Sequence, residues 1–278
     1  MFALVEDIKN STQLRWNRVH KFQSKINFCI EMGPYLIKTA EHMSELVDSF
    51  KLRHNVFNVE FRGLNPGGMD LDRFDYFFDH LIIIHKETQK IIGTYRMNSS
   101  QNSTESYVAL EFDTSRLTSR FDSYLELGRA CIHKDFRKGT VIAMLWRGII
   151  EYMKQSSAQV MFGCSSVKVN SPRDAALLYN YMIQSDFYSH DYSCITTPAF
   201  RMNGFENWNN FYKNELTVDQ QAEASRLLPS LLKSYFKQGA KIICEPAFDR
   251  EYDCIDFLTV LRTQDLSNTL AQRLQVVR

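Results

Sequence analysis

Apolar positions recur along this chain with two periods, and the points where one gives way to the other mark out its elements. PYLIKTA (34–40) is a short β-like run, and AEHMSELVDSFKLRHNVF (40–57) then carries Met43, Val47, Phe50 and Phe57 near helical spacing, predicting a first helix. NPGGMD (65–70) holds strong turn chemistry and ends that unit. HLIIIHKETQKIIGTYRM (80–97) reads as two strands about the polar turn KETQ, a β-hairpin. YLELGRACI (124–132) predicts a third strand, which the polar loop HKDFRKGT joins to VIAMLWRGIIEYMK (141–154); that stretch is apolar almost all round, as expected of a helix buried on a sheet. QVMFGCSSV (159–167) reads as a further buried strand. SPRDAALLYNYMI opens a helix with Ser171 as N-cap and Pro172 at the first helical position. A polar, aromatic stretch (185–215) precedes a helix expected from about 217 to 238 and ended by Gly239, and IDFLTVLR (255–262) makes a last strand. Strands alternating with helices after an early hairpin imply an α/β fold with a mixed sheet. Residues 1–33 are polar, lack a clear period and are expected to form an N-terminal extension. No repeat or Pro/Gly-rich linker divides the rest, so 34–278 is expected to be one domain with a helical and irregular insertion around 185–238 and a C-terminal strand.

Composition narrows the partners. A globule of 278 residues buries about three quarters of its unfolded surface and needs no disulfide or metal staple. Lys plus Arg number 33 against 32 Asp plus Glu, a net charge of +1, which argues against a dedicated nucleic-acid protein. Any acidic partner must meet a local patch, not a whole-molecule field. The six cysteines are scattered with no C-x-x-C, and no H-x-x-x-H or H-E-x-x-H occurs, so reduced thiols and no metal site are expected. Glu6 and Asp7 interrupt the N-terminus before any long apolar run, and nowhere do 18 apolar residues follow one another. Neither a signal peptide nor a membrane span is expected, which points to the cytoplasm, with peripheral contact at the inner membrane left open.

Two segments concentrate chemistry. In LELGRACIHKDFRKGT a strand ends in a basic loop containing Gly139 that opens a buried helix, a place where backbone N–H groups can meet an anion and where Lys134, Arg137 and Lys138 add charge; such loops also serve as plain connections. Glu126 and Arg129 are ionised groups set among Leu125, Leu127, Ala130, Cys131 and Ile132, and they need partners or a cavity. Strict alternation sends the two to opposite faces, whereas a bulge at Gly128 would bring both to one cleft. A structural salt bridge is the competing explanation. In DLDRFDYFFDHL (70–81), Asp72, Asp75 and Asp79 fall on one side if the segment is helical, where a cationic ligand or Arg53 or Arg96 would relieve their repulsion; a solvated turn is the simpler alternative.

These segments do not stand alone. LRHNVFNVEF, DLDRFDYFFDHLIII, IIGTYRM, LELGRACIHKDFR and FGCSS occur in that order, and together they resemble the acyl-carrier-protein-dependent N-acyltransferases that make lyso-ornithine lipid. That family is related to the N-acyl amino acid synthases and the acyl-homoserine-lactone synthases within the GNAT (acetyltransferase-like) superfamily. The resemblance runs from about residue 34 to 200, and LLPSLLKSYFKQGAKIICEPAFD and IDFLTVL also look like the family's tail. It implies a GNAT-like mixed, splayed β-sheet flanked by helices, with the thioester arm of the donor wedged between strands 124–132 and 159–167. Position by position, Arg53 and Phe57 match the Arg and Phe of the R-x-x-V-F motif, Asp72 and Asp75 the paired acidic positions, Arg96 the arginine closing the hairpin, and Glu126 and Arg129 the E-L-x-R pair. In the family these line the amine and thioester site. Ordinary acetyltransferases carry R/Q-x-x-G-x-G/A before the buried helix, whereas this chain has RKGTVI, a poorer pyrophosphate cradle that suits a carrier-protein phosphopantetheine better than coenzyme A.

The expected reaction is amide formation between a long-chain, 3-hydroxylated acyl thioester and the α-amine of ornithine. Acyl carrier protein, or coenzyme A as the alternative, is the co-substrate, and no bound cofactor is expected. Glu126 is the expected general base, help worth about 10²–10⁴-fold, with His133 its rival and Arg129 beside it in the catalytic set. Arg53 and Arg96 would clamp a carboxylate or phosphate, and Asp72 and Asp75 would receive an ammonium or fix those arginines. Lys134, Arg137 and Lys138, with Gly139, would dock the acidic carrier. Competing expectations are another amine such as glycine, signal-lactone synthesis from S-adenosylmethionine, and a catalytically silent acyl-binding module.

Overall fold

The hairpin expected over 80–97 is the middle of a longer antiparallel run. The computed structural model describes residues 22–137 and 139–266, which divide into two compact units. The first takes the described residues up to Glu105 together with Gly128–Ser156. In it β1 (Cys29–Met32), β2 (Tyr35–Thr39), β3 (Asp79–His85) and β4 (Lys90–Ser99) pair antiparallel in chain order. The final residues of β5 (Tyr124–Ile132) follow beside β4. β1 lies inside the stretch expected to be an extension, so part of that stretch is sheet.

β3 reads DHLIIIH, continuously apolar at its centre, because both of its faces are covered. Ile82 and Ile84 meet Phe50 and Leu46 of helix α1 (Met43–Arg53) in one cluster. Leu81 faces α2 (Thr140–Gln155), where a Cβ on Gly148 would stand 2.5 Å from a Leu81 methyl and would force that side chain to shift. Burial of each such Leu or Ile side chain is worth about 1.5–3 kcal/mol. Beyond Arg53 the helical path continues as a π-helical turn, His54–Phe61. The segment 70–81 is no helix: a single 3₁₀ turn, Arg73–Tyr76, is followed directly by β3. Aromatic and acidic residues crowd that turn, and the strand pairing from Asp79 onward overrides its helical spacing.

The second unit takes Ser106–Leu127 and the described residues from Ser157 onward. The first residues of β5 pair parallel to β6 (Val160–Val167), which pairs antiparallel to β8 (Cys254–Arg262); β7 (Ala247–Asp249) borders β8. The mixed pairing agrees with the expected sheet. Ser171 caps α3 (Pro172–Gln184) by accepting the Asp174 N–H at 3.0 Å. α4 (Phe205–Tyr212), α5 (Val218–Leu227) and α6 (Ser230–Lys237) pack with α3 around Leu177, Leu178, Phe205 and Leu232. The single helix expected over 217–238 is thus two. Leu228 precedes Pro229 and takes an extended ψ of 124°, as the proline ring requires, and the chain restarts at Ser230. Gly239, at φ +98°, ends the second helix as expected. All six cysteines are free thiols. Among the described residues no helix is long and apolar enough to cross a membrane.

Candidate active site

In the first unit, three arginines from three different elements converge on three aspartates of one loop. α1 delivers Arg53 at its last turn, fully buried. Its Nε donates to Asp70 Oδ1 at 2.8 Å and its two terminal nitrogens donate to Asp75 at 2.6 and 3.1 Å; a further short contact joins Nη2 to Asp70. Arg96 on β4 donates to Asp72 Oδ1 at 2.6 Å and to Asp75 Oδ1 at 3.1 Å. Arg129 on β5 donates to Asp72 Oδ2 at 3.1 Å and lies 3.4 Å from Asp70. The loop is fixed by its own chemistry. Asp72 caps the 3₁₀ turn by accepting the Phe74 N–H at 2.9 Å, while Asp75 reaches back to the Asp72 N–H at 2.7 Å. Phe74 and Phe78 lie beneath the Arg96 guanidinium at 5.7 and 5.4 Å.

The charges balance, and the balance sets their ionisation. Burial alone would raise the carboxyl of Asp75, but the Arg53 and Arg96 guanidiniums overcome it and hold the group far below the ordinary carboxylate range. Asp70 is lowered in the same way, against burial, by Arg53 and Arg129. Arg53 is raised, against burial, by Asp75 and Asp70. Exposure separates the members. The side chains of Arg53, Asp70, Asp75 and Arg96 are 5% exposed or less, whereas Asp72 is 25% and Arg129 16% exposed. The buried members orient one another; Asp72 and Arg129 are the two that are partly exposed.

Three placements bear on the expected site. Arg53 and Arg96 are committed to aspartates, so of the two roles open for Asp72 and Asp75 the structure displays the one that fixes those arginines. Asp79 does not join Asp72 and Asp75, because β3 begins there and turns its carboxylate toward Lys25, Ile26 and Tyr152. The irregularity in β5 sits on Arg129, at φ +52°, and not on Gly128. A left-handed conformation costs a non-glycine residue about 1–2 kcal/mol, and here the two aspartates hold it. Asp70, buried and bonded by two arginines, was hidden inside a turn-rich segment; its spacing to Asp72 and Asp75 was the available signal. Phe57 lies half-buried in the π-helical turn.

In the second unit Glu126 is 3% exposed and well supplied with donors. Its oxygens accept the Ser106 hydroxyl at 2.5 Å, the Tyr107 N–H at 2.8 Å and the Val108 N–H at 3.2 Å, capping the turn Val108–Glu111. The parallel ladder between β5 and β6 has three residue pairs and stops at Glu126 and Phe162, although β6 continues to Val167. There Gly163 lies so close to the Leu127 carbonyl that a Cβ would stand 2.2 Å from its oxygen. Among the described residues, Glu111, Asp249 and Asp256 are the acidic group with oxygens within 4.8 Å of one another, the spacing a cation would need. A cavity of about 580 Å³ lies at the start of β5, lined by Arg120, Tyr192 and Arg262, and holds none of the expected site residues.

The basic loop is less available than its sequence suggests. Arg137 donates to the Ile132 carbonyl at 3.0 Å and to Glu60 at 2.6 Å, which ties it to the end of β5. His133 caps the short turn Lys134–Phe136, its Nδ1 accepting the Asp135 N–H at 3.4 Å, and Lys134 is exposed. Gly139 is the N-cap of α2, and Lys138 lies outside the described residues.

The sequence matches the acetyltransferase (GNAT) domain family over residues 52–147. Among curated proteins, the L-ornithine N(alpha)-acyltransferase of Rhodobacter capsulatus is 28% identical over 247 residues, covering 84% of this chain and 92% of that one. Its namesake from Agrobacterium fabrum is 23% identical over 251 residues, covering 85% and 83%. Among solved structures, a CoA-dependent acyl-homoserine lactone synthase with SAM and isopentyl-CoA aligns over 85% of both chains at 14% identity and a TM-score of 0.46. An N-acyl amino acid synthase from uncultured soil microbes aligns over 83% of this chain and 91% of that one, at 8% identity and a TM-score of 0.45.

Proposed function

We propose, from the match of residues 52–147 to the acetyltransferase (GNAT) domain family, that this chain moves a long-chain 3-hydroxyacyl group from acyl carrier protein to the α-amine of ornithine. The observation that carries the reading is the pair Asp72–Arg129, opposite charges 3.1 Å apart at the partly exposed edge of a buried network. An amino acid offers the complementary pair, a carboxylate for the guanidinium and an ammonium for the carboxylate. The name of the Rhodobacter and Agrobacterium relatives supports ornithine as that amino acid. Arg53, Asp70, Asp75 and Arg96 hold the edge in place, so the charges are preorganised before substrate arrives.

In the reaction the amine loses a proton, its nitrogen attacks the thioester carbonyl, the C–N bond forms, and the C–S bond breaks to release the pantetheine thiol. Glu126 is the proposed proton acceptor. A second reading has a specific observation behind it: three donors already occupy the Glu126 carboxylate, which suits an anchor for the 106–108 turn. Glu126→Gln separates them. As base, its loss lowers kcat at least about tenfold and removes the acidic limb of the pH–rate profile while the melting temperature stays within a few degrees. An unchanged kcat with a lowered melting temperature makes it the anchor.

Lys134, Arg137, Lys138 and Gly139 are proposed to serve donor binding, with exposed Lys134 the first test of carrier docking. Purified protein given ornithine and 3-hydroxyacyl carrier protein is expected to yield N-acylornithine by mass spectrometry, ahead of glycine or S-adenosylmethionine in competition. Lys134→Glu is expected to raise KM for the carrier and flatten its salt dependence, with KM for ornithine unmoved. Turnover of acyl-CoA equal to that of the carrier thioester would overturn the donor assignment, and a preferred amine other than ornithine would overturn the acceptor.

A further inference from the structure

The segment just before β1 is clasped around the start of β3, next to the buried side of the Arg–Asp network. Asp79, the first residue of β3, is 1% exposed. Both of its oxygens accept the Lys25 N–H, at 2.9 and 3.1 Å, and Oδ2 also accepts the Ile26 N–H at 3.0 Å and the Tyr152 hydroxyl of α2 at 2.8 Å. The next residue, His80, points to the opposite face of the strand, as alternation requires. There its ring is met edge-on by Phe22 at 5.5 Å and by Phe50 at 5.4 Å. His80 Nε2 lies 3.3 Å from the Asp75 carbonyl and 3.9 Å from Asp75 Oδ1. Contacts therefore run from Phe22 through His80 to Asp75, which orients Arg53 and Arg96, and from Arg96 to Asp72.

We propose that residues 22–26 are a positioning element for the amine-binding edge, with Asp79 the carboxylate that fastens the segment and Phe22 the side chain that braces His80. The proposal rests on the functional reading above for the identity of the amine, and on the geometry alone for the brace. A carboxylate suits the fastening because it accepts from two successive backbone N–H groups and a phenol at once. An asparagine amide would turn a donor toward donors. Phe22 and Asp79 act on one segment, so loss of either releases the same thing.

The test combines two readouts. In Asp79→Asn and in Phe22→Ala, KM for ornithine is expected to rise about tenfold with kcat within about threefold and KM for the acyl donor unchanged, the pattern of lost ground-state positioning. The double variant is expected to be no worse than the weaker binder of the two, because the effects are not additive within one unit. Tyr152→Phe removes a donor from Asp79 but leaves the two amide bonds, and is expected to keep the wild-type KM. Amide hydrogen exchange at Lys25 and Ile26 and the NMR titration of the His80 ring need no turnover. Both are expected to shift in Asp79→Asn and to stay put in Tyr152→Phe. Faster exchange at Lys25 and Ile26 with an unmoved His80 titration and an unmoved KM would overturn the proposal. If the wild-type protein acylates no ornithine, the assignment of the reaction fails, while the His80 titration still decides for or against the brace.

Discussion

Asp75→Asn is expected to destabilise the chain by about 3–5 kcal/mol in urea unfolding at neutral pH, and to abolish turnover through misplacement of Asp72. Asp75 is fully buried and accepts from Arg53 twice, from Arg96 once and from the Asp72 backbone. Removing its charge leaves two buried guanidiniums facing a neutral amide, and half of that amide is itself a donor. The penalty is that of an uncompensated buried cation, which exceeds what the intact pair contributes over an apolar substitute. The contrast is Asp72→Asn. Its side chain is 25% exposed, so water can solvate the arginine left behind, and the loss in stability is expected to be about 1 kcal/mol or less. Its effect on KM for the amine is expected to be the larger of the two roles it has. A loss below about 1 kcal/mol in Asp75→Asn, with an unchanged urea m-value, would mean that water reaches the cluster and that its members do not orient one another.

The long periodic elements were legible because their burial pattern is one-sided or complete. β5 runs over 124–132 as expected, and Ser171 and Pro172 start their helix where the capping chemistry puts it. What escaped were elements set by non-local partners. The two-residue strand Lys241–Ile242 exists because Thr259 and Val260 of β8 pair with it, and β1 because β2 offers an edge. Pro229 is a local break in a helical period that otherwise runs on either side of it. In the candidate site, Arg53, Asp72, Asp75, Arg96 and Arg129 were each visible as charges in apolar surroundings, which need partners wherever they go. Which charge meets which is a matter of tertiary geometry. Sequence spacing grouped Asp79 with its two neighbours and passed over Asp70, and the start of β3 reversed both. The role of Glu126 could be posed but its donors could not, because they lie 18–20 residues upstream with no periodic relation to it.

His80 is expected to make the fold sensitive to mild acid, and this prediction separates a buried neutral imidazole from the carboxylates around it. Burial is the leading cause that lowers the ring to about 4 from its ordinary 6.5; the Arg53 and Arg96 charges act in the same direction, and Asp75 opposes them. The unfolded chain therefore takes up this proton first as pH falls, which favours unfolding. The stability His80 contributes is complete above pH 6.5 and is lost progressively down to about pH 4, amounting to about 2–3 kcal/mol by pH 4.5. Asp70 and Asp75 add nothing in that interval. Their carboxyls are depressed, so their contribution is complete above about 3.8 and is lost only as pH falls further. Asp79 works against the trend, since burial raises its carboxyl despite the Lys25, Ile26 and Tyr152 donors, and it favours the folded state in the interval just above 3.8. The difference between wild type and His80→Gln cancels the Asp70 and Asp79 terms, and the Asp75 carboxyl, which His80 helps to depress, titrates below this interval. Plotted between pH 7 and 4.5, the wild-type unfolding free energy is expected to fall toward that of the variant by about 2–3 kcal/mol. Parallel curves would mean that the ring is already protonated, or reached by water, in the folded chain. In that case the link from Phe22 through His80 to Asp75 would be too loose to hold the network that presents Asp72 and Arg129.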